Sequence, residues 1–404
     1  GINEKRTRLR NMLPLFKTGY YCLMVCTDTY TRGQTKQNNL RRKKMSKRII
    51  SLLLVAMLVM AMFAGCSKPA EEPAVEPAAE ATTEEATTEE APAEEPMVEM
   101  VMGMITDTGG LGDQSFNDSG WLGLERLESD FGVERKVLES ESADDYGPNL
   151  TSFAEAEVDL VYGVGFLFNE SMAAAAAQFP NQKFAIIDSV VEADNVASIV
   201  FAEHEGSFLV GVIAGMATET NKVGFIGGMK FPLIEKFEYG FKAGVMAANP
   251  DAEVLSNYAD SFEDAAKGKE IATVQNQQGA DVIFHAAGGV GIGLIQAAEE
   301  QGFWAIGVDQ DQSHISKERV LASMIKRVDE GVFSVGKSVV DGNFEGGIKV
   351  FSVANDGVGY SDNAGNLSEE QVAAAEMWRM AIAEGKFVVP QTEAELNAFE
   401  VPEL

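Results

Sequence analysis

Beyond residue 98 the chain settles into short apolar runs separated by stretches of helical spacing. VMGMIT (101–106), VDLVYGVG (158–165), KFAIIDS (183–189) and VASIVF (196–201) form one series. KVGFIGG (222–228), DVIFHAA (281–287), WAIGVDQ (304–310) and VLASMI (320–325) form a second. These runs are nearly continuously apolar, the pattern of strands buried on both faces of a parallel sheet. The spacing predicts helices over 169–179, 237–248, 262–278 and 294–301. A longer apolar helix is predicted over 203–220, between the two series. Alternation of this kind predicts an α/β fold with two doubly wound parallel-sheet lobes, because residues 99–390 exceed what one core comfortably fills. The lobes are expected at about 99–204 plus part of 326–390, and at about 205–325, with 391–404 as a tail. A ligand cleft is then expected between them, at the carboxyl ends of the strands.

The first 98 residues have a different character. From Met45 the sequence reads as an export signal over 45–65: Lys47 and Arg48 in front, an apolar run over 49–62, and Ala64-Gly65 before Cys66. That run is shorter than a membrane-spanning helix needs. The tetrad Phe63-Ala64-Gly65-Cys66 resembles a bacterial lipobox, with Phe63 where that pattern prefers Leu, and the resemblance implies lipidation of Cys66. The alternative is an ordinary signal with an incidental cysteine. Residues 1–44 start with Gly and show no useful periodicity; they are expected to be upstream DNA read in frame, Arg41-Arg42-Lys43-Lys44 matching what a purine-rich ribosome-binding site and spacer would encode. Residues 66–98, rich in Ala, Glu, Pro and Thr with ATTEE in tandem at 81–90, are expected to be the lipidated cysteine and an acidic, disordered tether.

Charge sharpens this division. The whole chain carries 32 basic and 62 acidic residues, and residues 1–65 hold 13 of the basic ones but only Glu4 and Asp28 of the acids. From Cys66 onward the balance is 19 minus 60, or −41, which argues against nucleic acid as a partner. Cys66 is the only cysteine after the leader, so neither a disulfide framework nor a cysteine metal site is expected. His204, His285 and His314 lack paired metal-ligand spacing, and no metal or cofactor is expected.

Three stretches invite chemistry. Residues 331–338 satisfy G-x-x-x-x-G-K-S, yet Val328, Val332, Val335 and Val339 recur at helical spacing and Asp329-Glu330 put negative charge where a phosphate would sit. An amphipathic helix is the expectation there. Residues 288–293, GGVGIG, lack phosphate-loop spacing; they fit either a close backbone approach to a neutral ligand or a structural turn. GGLGDQSFNDSGW (109–121) follows the first strand. Asp113, Ser115 and Asn117 offer hydrogen bonds there, and Phe116 and Trp121 offer flat apolar faces. Asn117 fits a helix N-cap and Trp121 a core position equally well.

Taken together, D-x-S-F-N after a Gly-rich loop, VGFLF (164–168), EGSFLVG (205–211), GFIGGM (224–229), HAAGGVGIG (285–293), GVDQDQ (307–312) and KFVVP (386–390) resemble the basic membrane protein family, in its purine nucleoside receptor branch. The resemblance covers essentially residues 99–390 and implies a type I periplasmic-binding-protein fold with a nucleoside between its lobes. It implies a base-side role for Asp113, Asn117 and Trp121, ring contacts from Phe166 and from Phe237 or Phe231, and ribose contacts from Asp309 and Lys326 with Gly288 lending backbone. Asp188, ending the strand KFAIID, fits either the cleft or a helix cap.

The functional expectation is a lipid-anchored, extracytoplasmic substrate-binding protein of an ABC importer. It would capture a small neutral ligand, foremost a purine nucleoside, and hand it to permease and ATPase subunits. A sugar, a flavin or a signalling molecule is the alternative ligand, and a sensory or regulatory protein of the same fold the alternative role. No catalytic constellation is visible, so an enzyme is not expected.

Overall fold

The computed structural model describes residues 99–403. The signal over 45–65, Cys66, the tether over 66–98 and the segment 1–44 lie outside them.

Each of the eight apolar runs is a strand. In the first lobe β1 (Val101–Ile105), β3 (Leu160–Val164), β4 (Phe184–Ile187) and β5 (Val196–Phe201) stand at the centre of a six-stranded sheet. Its edges are β2 (Glu134–Leu138) and β11 (Gly347–Phe351), giving the order β11-β5-β4-β3-β1-β2, parallel throughout. In the second lobe β6 (Lys222–Gly227), β8 (Val282–Ala286), β9 (Trp304–Asp309) and β10 (Val320–Lys326) are central. β7 (Glu253–Tyr258) and β12 (Val358–Ser361) are the edges of the order β12-β10-β9-β8-β6-β7. The two orders match strand for strand, except that β12 runs antiparallel to its neighbour. The central strands are almost wholly buried, as two-sided coverage demands.

Helices supply that coverage. In the first lobe α1 (Phe116–Phe131) packs with α8 (Val328–Val340), and α2 (Tyr146–Glu155) packs with α3 (Asn169–Gln178). In the second, α4 (Glu203–Ala217) packs with α5 (Pro232–Ala248), and α6 (Ala265–Gln277) with α7 (Val290–Gln301). α4 is the long apolar helix read from sequence. It is buried nearly all round because α9 (Glu369–Ala383), β10 and β12 close on it as well. The G-x-x-x-x-G-K-S stretch lies inside α8, where Gly336 meets Leu127 and Tyr162, so its backbone N–H groups are spent within a helix. Residues beyond 390 do more than trail: α10 (Glu393–Asn397) contacts α5, and Phe399 packs against Phe208 and Phe387.

The chain passes between lobes three times: from β5 into α4, from β10 into α8, and from β11 to β12. The crossings run side by side. Ala202 N–H donates to Phe351 O (2.8 Å), and Arg327 N–H donates to Gly357 O (2.9 Å).

Candidate ligand-binding cleft

An enclosed space between the two sheets is lined mainly from the carboxyl ends of strands, with the first turns of two helices. Asp107 follows β1, Phe166 and Leu167 follow β3, and Asp188 follows β4, while the first turn of α1 brings Phe116 and Asn117. From the second lobe come Leu233, Ile234 and Phe237 of α5, Phe262, the stretch 286–288 after β8, Asp309 at the end of β9 and Lys326 at the end of β10. The space unfilled by protein atoms, counted out to the opening, is about 570 Å³, within the span of small-molecule sites.

The polar groups are tied to one another by hydrogen bonds. Asp113 directs its carboxylate at the start of α1, accepting from the N–H groups of Ser115 (2.9 Å), Asn117 (2.8 Å) and Asp118 (3.2 Å). It therefore fixes the helix that carries Phe116 and Asn117. The Asn117 side-chain amide donates to Asp107 Oδ1 (2.8 Å) and Asp113 Oδ2 (3.1 Å), which leaves Asn117 Oδ1 buried without a protein partner. Asp188 Oδ2 accepts from Lys326 Nζ (2.5 Å), and Asp188 Oδ1 is again buried and unpartnered. Asp309 accepts from the Ser115 hydroxyl. Asp188 and Asp309 end corresponding strands, and both adopt φ of 67°, a left-handed conformation that Asp tolerates better than most residues.

Lys326 is fully enclosed, its Nζ 4.9 Å from the Phe116 ring centroid, 5.0 Å from that of Phe201 and 5.5 Å from that of Phe237. Burial pulls its pKa down, but the carboxylates of Asp188, Glu203 and Asp309 outweigh that and raise it. Burial lifts the Asp309 carboxyl to about 7 and that of Asp107 to about 6, in each case against opposing hydrogen bonds. Asp113 is raised by burial too.

Of the residues singled out in the sequence, Asp113, Asn117, Phe166, Asp188, Phe237, Gly288, Asp309 and Lys326 all line this space. Trp121 does not, and the expectation that it meets a ligand's ring is corrected. It lies more than one helical turn beyond Phe116, and its face is covered by the Arg135 guanidinium of β2, 4.5 Å from the ring centroid. Phe231, the other option beside Phe237, packs on Phe166 (centroids 5.0 Å apart) and lies outside the lining. In GGVGIG only Gly288 lines the space. A Cβ on Gly291 would fall 1.8 Å from the His285 ring and one on Gly293 1.8 Å from Ala265 O, so those two serve packing. Gly288 has φ of 55° and sits against Phe262 O, which explains glycine there. Missed in the sequence were Asp107, Leu233 and Phe262, and Phe116, read there as a flat apolar face, was given no place in the site. Asp107 carried a usable signal, since it ends its strand as Asp188 and Asp309 end theirs.

An apolar, aromatic-walled slot with carboxylates, one amide and one ammonium converging on it suits a flat ligand with polar edges. Comparisons with known proteins agree with a binding role. The family described as "ABC transporter substrate-binding protein PnrA-like" matches residues 100–393. The chain is 36% identical over 370 residues to "ABC transporter nucleoside-binding protein BmpA" of Lactococcus lactis subsp. cremoris, an alignment covering 86% of this chain and 99% of the relative. It is 39% identical over 316 residues to the "CD4+ T-cell-stimulating antigen" of Listeria monocytogenes, covering 72% and 88%. It is 32% identical over 295 residues to "Basic membrane protein A" of Borreliella burgdorferi, covering 71% and 87%. Among solved structures, an ABC transporter solute-binding protein from Aeropyrum pernix K1 superposes with a TM-score of 0.68 at 29% identity, covering 74% of this chain and 96% of that one. With the fold, the interlobe slot and the match across residues 100–393 in agreement, the chain belongs to the Bmp family of PnrA-like ABC transporter substrate-binding proteins.

Proposed function

We propose that the ligand is a purine nucleoside, enclosed between the lobes and passed to a permease driven by an ATPase. The observation that carries this reading is a pair of buried acceptors without protein partners, Asn117 Oδ1 and Asp188 Oδ1, in a slot whose walls are Phe116, Phe166, Phe237 and Phe262. A purine supplies π-faces for such walls and N–H edges for the amide, while ribose hydroxyls suit a carboxylate beside an ammonium. Asp309 and Lys326 take the ribose, Asn117 with Asp107 behind it takes the base edge, and Phe116 stacks in place of Trp121.

Calorimetric titration with inosine and hypoxanthine tests this. Phe116→Ala is expected to weaken both ligands by about 1–3 kcal/mol, the worth of one base–aromatic stack, and Trp121→Ala to leave both near wild type. Asp309→Ala is expected to weaken inosine by roughly 1.5–3 kcal/mol and hypoxanthine much less. Failure of wild type to bind inosine, or recovery of a sugar or flavin from natively purified protein by mass spectrometry, would replace the nucleoside.

The reading extends to location: Cys66 anchors the protein by lipid on the extracytoplasmic face, and the acidic tether spaces the lobes from the membrane. Cys66→Ser should then shift the intact protein from the membrane fraction to the soluble exported fraction, since acyl chains contribute about 0.8 kcal/mol per buried CH₂ and an acidic segment adds no attraction to anionic lipid. Retention of the variant in membranes of cells lacking the transporter would argue against the anchor.

A further inference from the structure

Glu203 lines no part of the slot, yet it is the most completely enclosed carboxyl near it. It opens α4, its side chain has no exposure, and neither carboxylate oxygen has a hydrogen-bond partner. Two ammonium groups face it instead: Lys326 Nζ is 3.7 Å from Oε1 and Lys236 Nζ is 3.5 Å from Oε2. A buried carboxylate with such loose contacts is weak as a source of stability, which turns attention to what it does for its neighbours.

The partners of Lys326 fall on different lobes. Asp188 belongs to the first lobe, so its 2.5 Å contact with Lys326 spans the cleft. Glu203 belongs to the second, as does Lys326 itself: α4 packs on α5, α9, β10 and β12. The turn bearing Glu203 is held there by backbone contact, since a Cβ on Gly240 of α5 would lie 2.2 Å from His204 O. Lobe separation would break the first pairing, which joins the lobes, and would leave the second, which lies within one lobe.

We infer that Glu203 is a positioning residue for ligand capture: when the lobes part, it remains beside Lys326 and holds the ammonium at the cleft until ligand and Asp188 arrive. The inference rests on the reading of the cleft given above. The charged groups facing Lys326 are Asp188 after β4, Glu203 of α4 and Asp309 of β9, and Glu203 is faced in addition by Lys236 of α5. Asp309 also stays in the second lobe, but its carboxylate is the one offered to ligand hydroxyls. Without Glu203, Lys326 in a parted cleft would keep Asp309 as the one carboxylate of its own lobe among the three that face it, and its charged form would be less favoured.

The test measures Lys326 directly and ligand binding separately. Ligand-free protein carrying ¹³C-labelled lysine is titrated by NMR, with the Lys326 resonance assigned through its disappearance in Lys326→Met, and inosine affinity is measured from about pH 7 to pH 11. Glu203→Gln is expected to lower the Lys326 midpoint and weaken inosine binding by about tenfold at neutral pH, more so at the alkaline end. Glu203→Asp is expected to fall between the two proteins in both readouts. A folded Glu203→Gln protein with an unmoved Lys326 midpoint would overturn the inference, as would an affinity loss equal at every pH. Should Glu203→Gln not fold, an unmoved midpoint in Glu203→Asp has the same force. If wild type binds no inosine, the nucleoside reading fails, and the resonance arm, which needs no ligand, still decides the role of Glu203.

Discussion

Asp309 shows how one side chain can serve binding at the expense of the closed fold. Its folded pKa of about 7 lies above the ordinary 3.8 because of burial, against partial relief from Lys326 and Ser115. The folded state therefore holds a proton that the unfolded chain releases between those values. Stability from this group is fully present below about pH 4 and is lost as pH rises through 7. Asp309→Asn should accordingly raise the Tm of the ligand-free protein at pH 8, by about 2 °C or more, and change it little near pH 4, while inosine affinity falls. A Tm gain equal at both pH values, read by scanning calorimetry, would assign the effect to packing. Residues of this kind were legible where strand-end position and motif agreed, as for Asp188, Asp309 and Lys326. Asp107 and Phe116 were harder. Which ring of α1 faces the slot depends on where the first turn begins, and Asp113 sets that through hydrogen bonds that no spacing rule reveals.

Among elements, the strands that escaped the sequence reading are β2, β7, β11 and β12, and these are the four sheet edges. An edge strand is covered less fully than a central one, so its pattern dilutes: ERKVL and EVLSNY carry charge or amide groups, and Ile348 and Val350 of β11 stand exposed. Continuous apolar runs marked the eight central strands because both their faces are covered. Helix packing left a subtler trace in the glycines. α4 and α5 touch at backbone distance, where a Cβ on Gly211 would lie 2.3 Å from Phe241 O and one on Gly244 2.0 Å from Phe208 O. Gly244→Ala should therefore force the helices apart and destabilise the protein by about 1–3 kcal/mol, despite the better helix propensity of Ala. Urea unfolding would show the midpoint falling, and an unchanged or higher midpoint would mean the contact yields freely.

For the whole molecule, closure is written in contacts that cross the cleft: Lys326 with Asp188, Ser115 with Asp309, and Gln312 Nε2 donating to Gln114 O (2.9 Å). Gln312 is locked for that task. Its Oε1 accepts from Val308 N–H (3.0 Å) and from His285 Nε2 (2.8 Å), which makes His285 the neutral Nε2–H tautomer, and burial lowers the pKa of that ring to about 4. Gln312→Ala should then speed ligand release by about tenfold while leaving association within about twofold. Stopped-flow fluorescence separates the two rates, and an unchanged release rate would detach this contact from closure. None of these pairings was legible in the sequence, because they join residues 138, 194 and 198 apart in chain order that become adjacent only once two lobes fold and meet. The three crossings have a further use. The described chain starts in the first lobe at β1 and finishes docked on the second, where Phe399 rests on Phe208 and Phe387. A donor dye placed ahead of Val101 and an acceptor placed behind Phe399 would ride on separate bodies, so ligand-driven movement of the lobes would be read as a change in energy transfer, making the protein an optical gauge for whatever it carries.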